Sequence, residues 1–524
     1  MDEAVEIIIT GTKLQNFQTI LSIFISGTNN FFFFVIPFLF KNPSLDNNFQ
    51  KNNNITNNNF TLEGLCEISY KDIYKYIDNS ISIYNYSVIY KLFCDDNTFK
   101  IQILMFLYFF IKGISSILFG FFTDKFGRKA ILFYCSILTI MASFCMFLSL
   151  YNYYFLILTF ILTGISSYLY IFSSILVCEF FDRNKSATIS SLNISSGPIF
   201  AIIFILLLKM FNNLNILYFA VVIFSLILFY NIKMYFNESL YYLISKNKIN
   251  EFFELLEKLA QLNERKHLYE KINQERYITD KIKSFSFTAN IIDIFNYNSQ
   301  YQRLIIHILL WIFISFSFHG ILDIISFFNP FDNYFLMYII FFSLCSFTQI
   351  FLGIVSDIYG RRTLLTYSFY ICSISYLIFI LTEEKILIKN LFFFICIISS
   401  SSLFSLIFIF SSEDFPTCIR GTVLGFLFGI SQIIALIVYY INNPLVLCLI
   451  ISLSNCIGGR IVESMEDTFE LLLDDTLPEM HKNDNLKKKK YRALKCERIS
   501  TGSDLYFLTS DDEAFNQEIL SKNP

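Results

Sequence analysis

The sequence is short of charge. Asp, Glu, Lys and Arg supply 16 % of its 524 residues, against about 25 % in an ordinary soluble domain. Apolar residues fill the deficit: 55 % of the chain is hydrophobic and the mean hydropathy is +0.53. A water-soluble globule is excluded, because such a chain cannot cover its apolar surface with polar groups. Other absences remove classes of activity. No G-x4-G-K-[ST] phosphate loop occurs, which argues against direct drive by ATP. No Cys/His spacing suits zinc or haem, no basic face suggests nucleic acid, and nothing resembles a hydrolytic or redox centre. No cofactor or metal is expected. The first apolar run follows acidic Met1-Asp2-Glu3-Ala4-Val5-Glu6 rather than a basic segment with a small-residue cleavage site, so it reads as a retained helix.

What is there is apolar length. A hydrocarbon core of about 30 Å needs about 20 residues of helix, and twelve runs approach or exceed that: 16–40, 101–123, 130–150, 154–177, 186–210, 214–232, 304–328, 334–355, 363–382, 391–410, 422–440 and 445–461. The last is short and interrupted by Gly458 and Gly459. With the N-terminus inside, the intervening cytoplasmic loops collect Lys125, Arg128, Lys129, Arg183, Lys185, Arg361, Arg362 and Arg420, and the short outer loops carry almost none. Both termini are then cytoplasmic. Phe (64) and Tyr (32) are overused together with Ile and Asn, the mark of a biased nucleotide composition, so aromatic abundance alone receives no functional weight.

Between the second and third runs lies Gly120-Phe-Phe-Thr-Asp124-Lys-Phe-Gly127-Arg128-Lys129, and between the eighth and ninth the same G-x3-D-x2-G-R-[KR] spacing returns as Gly353-Ile-Val-Ser-Asp357-Ile-Tyr-Gly360-Arg361-Arg362. A second element recurs with it. Glu179, ahead of Arg183, lies 55 residues beyond Asp124, and Glu413, ahead of Arg420, lies 56 beyond Asp357. The chain is therefore two homologous halves, a pattern of transporters. Each Asp is expected near the positive N-terminal end of a helix in the opposite half, with Arg and Lys on carboxylates or last-turn carbonyls, so that the loops latch the halves in one state. The glycines are expected to let helices approach closely.

The divisions expected are a first six-helix bundle over 1–232 with a long outer loop at 41–100, a cytoplasmic linker over 233–303, a second six-helix bundle over 304–465, and a cytoplasmic tail over 466–524. The linker carries Phe252, Leu255, Leu256 and Leu259 at helical spacing, an amphipathic helix for the inner membrane face or the bundle. Lys487 to Lys490 and Arg492 form a basic cluster suited to a solvated tail or to contact with anionic membrane lipid. The outer loop holds an Asn-rich low-complexity stretch and N-x-[ST] sequons at Asn54, Asn59 and Asn85. Most of the twelve cysteines lie inside apolar runs and read as packing residues. Cys66 and Cys94 are the outer loop's only two, and outside the cell they can pair.

The doubled motif resembles the inter-helix loop motif of the major facilitator superfamily, which implies an all-α membrane protein of two six-helix bundles around a central cavity. Further segments resemble the organic cation/anion and carnitine transporter family: Leu92-Phe-Cys94-Asp95-Asp96, Glu179 with Arg183, Glu238-Ser239 with the linker helix, Trp311 to Gly320, and Glu413-Asp-Phe-Pro416-Thr417-Cys-Ile-Arg420. Glu466-Asp-Thr468 and Asp475-Thr476 are degenerate echoes of that family's acidic C-terminal motif. Sugar porters share several of these motifs but typically carry glutamines in the fifth and seventh helices; here the fifth run has none and the seventh reads Phe316-Ser-Phe-His319-Gly320-Ile-Leu-Asp323. A sugar carrier is the alternative reading, and a non-transporting sensor on the same fold is another.

Ionisable groups inside a membrane default to functional hypotheses. Lys112 lies eight residues before Gly120, a depth of about 12 Å at 1.5 Å per residue. His319 and Asp323 stand four apart on one helix face; they can bind solute, carry a proton or satisfy each other. Trp311 and Phe318 share their span. Gln432 falls where the family's cation carriers resemble one another in having Asp and its anion carriers in having Arg, so the resemblance implies neither charge class. The expected function is a secondary or facilitative carrier of a small neutral or zwitterionic organic solute, with a coupled ion or proton as an open partner and the plasma membrane as its location. Peptide mass spectrometry without reduction should find Cys66 joined to Cys94; two free thiols would refute the pairing.

Overall fold

The computed structural model describes residues 13–40, 85–180, 185–211, 213–246, 248–263, 298–328, 330, 334–382, 385–416, 419–441 and 443–465. Among them are twelve helices long and apolar enough to cross a membrane. In the first half these are α1 (Lys13–Leu39), α3 (Asp95–Phe126), α4 (Arg128–Leu148), the pair α5 (Tyr153–Ser166) and α6 (Tyr168–Phe180), α7 (Ser186–Phe211) and α8 (Leu214–Tyr235). A short α2 (Tyr86–Ile89) precedes them at α3, and α9 (Leu240–Ser245) and α10 (Ile249–Leu262) follow. The second half holds α11 (Asn298–Phe327), α12 (Tyr334–Tyr359), α13 (Arg361–Leu381), α14 (Ile386–Asp414), α15 (Arg420–Tyr439) and α16 (Pro444–Glu463). The expected all-helical architecture of two six-helix bundles is the one observed.

The apolar faces divide by solvent. On α3, Phe106, Phe110, Ile114, Leu118 and Phe121 recur every three or four residues and are exposed, a stripe that is costly in water and at home against lipid. On α10, Phe252, Leu256, Leu259 and Ala260 are buried while Glu251, Glu254 and Lys258 are exposed, the amphipathic pattern expected for the linker.

Three local departures have physical causes. The fourth span breaks at Ser167 instead of running unbroken through 154–177: Ser167 Oγ donates to Gly164 O at 2.7 Å, and the Tyr170 N–H turns to Ser167 O at 3.1 Å. Hydroxyls that bond nearby carbonyls compete with the helical ladder. The twelfth span is not interrupted at Gly458 and Gly459. There the missing side chains admit Phe369 and Tyr370, whose atoms would stand 2.5 and 2.9 Å from an added Cβ. Asn85, expected only as an outer-loop sequon, is 7 % exposed and caps α2, its Oδ1 accepting Val88 N–H at 2.9 Å. Asn54, Asn59, Cys66, Arg183 and the basic tail cluster lie outside the described residues. Cys94 is disulfide-bonded.

The most extensive packing joins the halves, α3 to α15 and α7 to α12. Glycine makes both crossings close. A Cβ on Gly425 would stand 2.4 Å from Ser116 O and 2.9 Å from Gly120 Cα, and one on Gly353 would stand 1.9 Å from Ser191 Oγ. Gly425→Val should therefore cost this conformation about 1–3 kcal/mol by overpacking. The measurement is thiol labelling of Ser116→Cys, read by peptide mass spectrometry, which should rise several-fold when the crossing is wedged apart.

Candidate functional site

The duplicated loops are one-residue connections. Gly127 joins α3 to α4 at φ +108° and Gly360 joins α12 to α13 at φ +92°, backbone that side-chain-bearing residues rarely adopt. A Cβ on Gly127 would also lie 2.6 Å from Glu238 Oε2. From this sharp turn each Asp reaches the other half. Asp124 Oδ2 accepts the backbone N–H and the hydroxyl of Thr422, both at 2.7 Å, in the first turn of α15. Asp357 Oδ2 accepts the same pair from Thr188, at 2.9 and 2.6 Å, in the first turn of α7. A carboxylate there meets unsatisfied N–H groups and the positive end of the helix dipole.

Buried guanidiniums complete each clasp. Arg128 approaches Asp124 at 3.4 Å and Glu179 at 3.2 Å, and Glu179 also faces Arg420 of the other half at 3.9 Å. Arg361 pairs with Asp357 and donates to Glu413, each at 3.1 Å, and Glu413 accepts the Ser186 hydroxyl of the other half at 3.0 Å. Each glutamate is thus shared between its own half and the opposite one. Arg128, Arg361 and Arg420 are 2 %, 4 % and 0 % exposed. Such pairs are costly to desolvate, and removing one member strands the other, typically at about 3–5 kcal/mol.

The second basic positions differ between the copies. Arg362 donates to Val462 O at 3.3 Å and to Glu463 O, carbonyls of the last turn of α16. Lys129 was expected on a carboxylate or carbonyl through its side chain, but that side chain is exposed and its backbone N–H makes the contact, 3.2 Å from Glu238 Oε2. Glu238 also accepts Arg128 N–H at 2.9 Å, so a linker carboxylate caps α4. Burial raises the Glu238 carboxyl above its ordinary range, against the pull of the Ser239 and Arg128 N–H groups and the Arg128 charge. Tyr242, whose ring lies 4.8 Å from the Arg128 guanidinium carbon, is pushed up to about 12 by burial.

A cavity of 460 Å³ occupies the opposite end of the helices. Both halves line it: Phe33 and Ile36 from α1, Met105 and Phe109 from α3, His319 and Asp323 from α11, Tyr338 from α12 and Tyr439 from α15. The His319 ring packs against Phe33 at 5.5 Å and Phe109 at 5.6 Å. Of the six residues expected in the cavity, His319 and Asp323 are in its wall. Lys112, Trp311, Phe318 and Gln432 are not; each lies nearer the latch along its helix than its neighbours in the wall. Phe318 is part of a floor of packed rings, stacked on Phe404 at a centroid distance of 4.1 Å. Gln432 is 1 % exposed and gives Nε2 to Ser431 Oγ at 3.1 Å, while its Oε1 has no donor. Lys112 is 2 % exposed, its ammonium over Phe33, Phe428 and Tyr108 at 4.5, 5.3 and 5.4 Å. Insertion of an ammonium costs about 2.5–3.5 kcal/mol and a ring contact returns about 0.5–2, so the three rings offset part of that cost.

Trp311 belongs to a network that sequence reasoning missed. Its indole N–H donates to Ser411 Oγ at 3.0 Å, His307 Nδ1 lies 3.0 Å from the same hydroxyl, and His307 Nε2 lies 3.0 Å from Asp414 Oδ2, which adjoins the latch residue Glu413. Thr188 and Thr422 were missed as well, although a signal was present: each lies nine residues beyond its half's glutamate, Glu179 and Glu413.

Two clasped halves around a cavity are matched by the family comparison, in which the Major Facilitator Superfamily profile matches residues 19–439. The chain belongs to this superfamily. Solved members agree on the fold. The proton:xylose symporter XylE bound to 6-bromo-6-deoxy-D-glucose superposes with a TM-score of 0.59 at 12 % identity, over 88 % of this chain and 97 % of that one. The human organic anion transporter MFSD10 (TETRAN) gives 0.57 at 11 % identity, over 86 % and 99 %. A partially occluded inward-open form of XylE from E. coli gives 0.54 at 13 % identity, over 88 % and 99 %. At these identities the likeness is one of fold. No curated protein sequence matches the chain. As a superfamily member it is a transmembrane transporter, and its latches are shut while a cavity stands at the other end. Asp124→Asn or Asp357→Asn should lower turnover about tenfold or more while KM moves by less than about threefold, because the substitution acts on the clasp and not on the cavity wall. Unchanged turnover in both variants at equal surface expression would refute this role.

Proposed function

We propose that this transporter carries a small neutral or zwitterionic organic solute across the plasma membrane by alternating access, as the resemblance to organic ion carriers suggests. The observation that carries the reading is the cavity wall: one carboxylate, Asp323, and one imidazole, His319, stand a helical turn apart among aromatic rings. Such a wall offers an apolar body its packing surface, a carboxylate for a positive group and an imidazole that can donate or accept a hydrogen bond. The excess of Lys and Arg in the loops at the latch end supports a cytoplasmic side for the latches, and on that orientation the cavity faces outward. No Asn or Gln is among the described residues of the wall, whereas sugar porters typically hold hydroxyls with glutamines, so the sugar reading stays the alternative. Gln432 meets the solute only after the ring floor opens, and remains the position where the family resemblance locates charge selection.

The test is uptake by purified protein in liposomes, with tetraethylammonium, a monocarboxylate, carnitine and a hexose as competitors. Carnitine-like zwitterions should compete best, and Asp323→Asn should weaken them about tenfold, the scale of one lost charge-assisted contact. Strong selectivity for a simple cation, a simple anion or the hexose would overturn the solute class; absence of any uptake would overturn the carrier itself.

A further inference from the structure

Lys112 is the buried charge that the latch leaves unused. Among the described residues its ammonium makes no hydrogen bond or ion pair, and its contacts are the faces of Phe33, Phe428 and Tyr108. One of those rings has a second role. Phe33 belongs to the cavity wall as well as to the cage, so one ring is shared by an outward-facing cavity and a cation that has no ion pair among the described residues. We propose that Lys112 is a masked anion subsite, whose ammonium takes the carboxylate of the transported solute when the Phe33 ring turns aside. This rests on the carrier reading above and adds the group that recognises the negative end of the solute.

The lid has a local reason to move. Pro37 lies four residues after Phe33 within α1, and a proline has no N–H to give the carbonyl one turn earlier, so the helix is weakened against bending at that turn. The cage also has an unmet acceptor. Gln432 Oε1 is buried without a donor, and Gln432 Cβ lies 3.7 Å from the position of a Cβ on Gly113, the residue after Lys112. An ammonium leaving the rings for a carboxylate can donate to this oxygen with another of its three N–H groups. Solute entry would then replace ring contacts with an ion pair and a hydrogen bond at the level below the present floor.

The chain carries its own reporter, because its one tryptophan, Trp311, packs against Phe428 of the cage at 6.1 Å. Trp311 fluorescence of the full-length protein in nanodiscs is followed during titration with three probes of equal shape: glycine betaine, tert-butylacetate, which lacks the ammonium, and choline, which lacks the carboxylate. Lys112→Met should weaken glycine betaine and tert-butylacetate about tenfold or more and leave choline within about twofold; Lys112→Arg should restore most of the loss. Phe33→Leu should tighten both carboxylates. Lys112→Met should not lower the thermal midpoint, since it removes a buried charge that has no counter-ion. Equal weakening of all three probes, a lowered midpoint with unchanged carboxylate affinity, or no saturable carboxylate response in the wild type would each overturn the subsite. Liposome uptake that persists in the wild type under those outcomes leaves the carrier reading standing.

Discussion

A carboxylate seated on the N-terminus of a helix from the other half is the interaction on which the rest of this structure depends. Asp124 on Thr422 and Asp357 on Thr188 are the same contact made twice, related by the duplication of the chain. Each satisfies N–H groups that a helix cannot satisfy internally, and each draws a buried arginine and a shared glutamate into place behind it. Water reaching this end would solvate those charges and compete for every bond. The clasp is therefore an all-or-none closure, suited to a two-state device rather than a graded one.

Close helix approach makes the clasp geometrically possible. Gly120 and Gly425 meet at one crossing and Gly353 lies against Ser191 at the other, so backbones come near enough for a short Asp side chain to span the halves. Glu238 ties the linker to the same region by capping α4, and Asp414 with His307 lies beside Glu413. Groups far apart in the chain thus converge on one end of the bundle, while the other end keeps a cavity that the two halves line together.

Between clasp and cavity lies a layer of packed rings: Phe33, Phe318, Phe404, Phe408, Phe428 and Trp311. Aromatic excess in the composition carried no functional message, yet at this level the rings seal the path and hold the Lys112 ammonium. Their contribution comes from position, since rings of the same kind on the outer faces of α3 and α12, such as Phe110 and Phe351, are exposed.

The sequence by itself determined the fold and the latch. Apolar length dictates helices across a membrane, and a doubled G-x3-D-x2-G-R-[KR] spacing dictates two related halves, because backbone hydrogen bonding in lipid permits few alternatives. Charged loops were legible for the same reason: a buried Asp or Arg is expensive enough to be retained only with partners. Which partners they take, and which intramembrane residues face the solute, was decided by tertiary structure. Periodicity places Lys112, His319, Gln432 and Trp311 on helices, but the turn of each helix toward its neighbours is set by glycine crossings and ring packing between segments hundreds of residues apart. Those contacts put His319 and Asp323 in the wall, Lys112 and Gln432 beneath the floor, and Trp311 in the ring layer, an assignment that no local pattern contains.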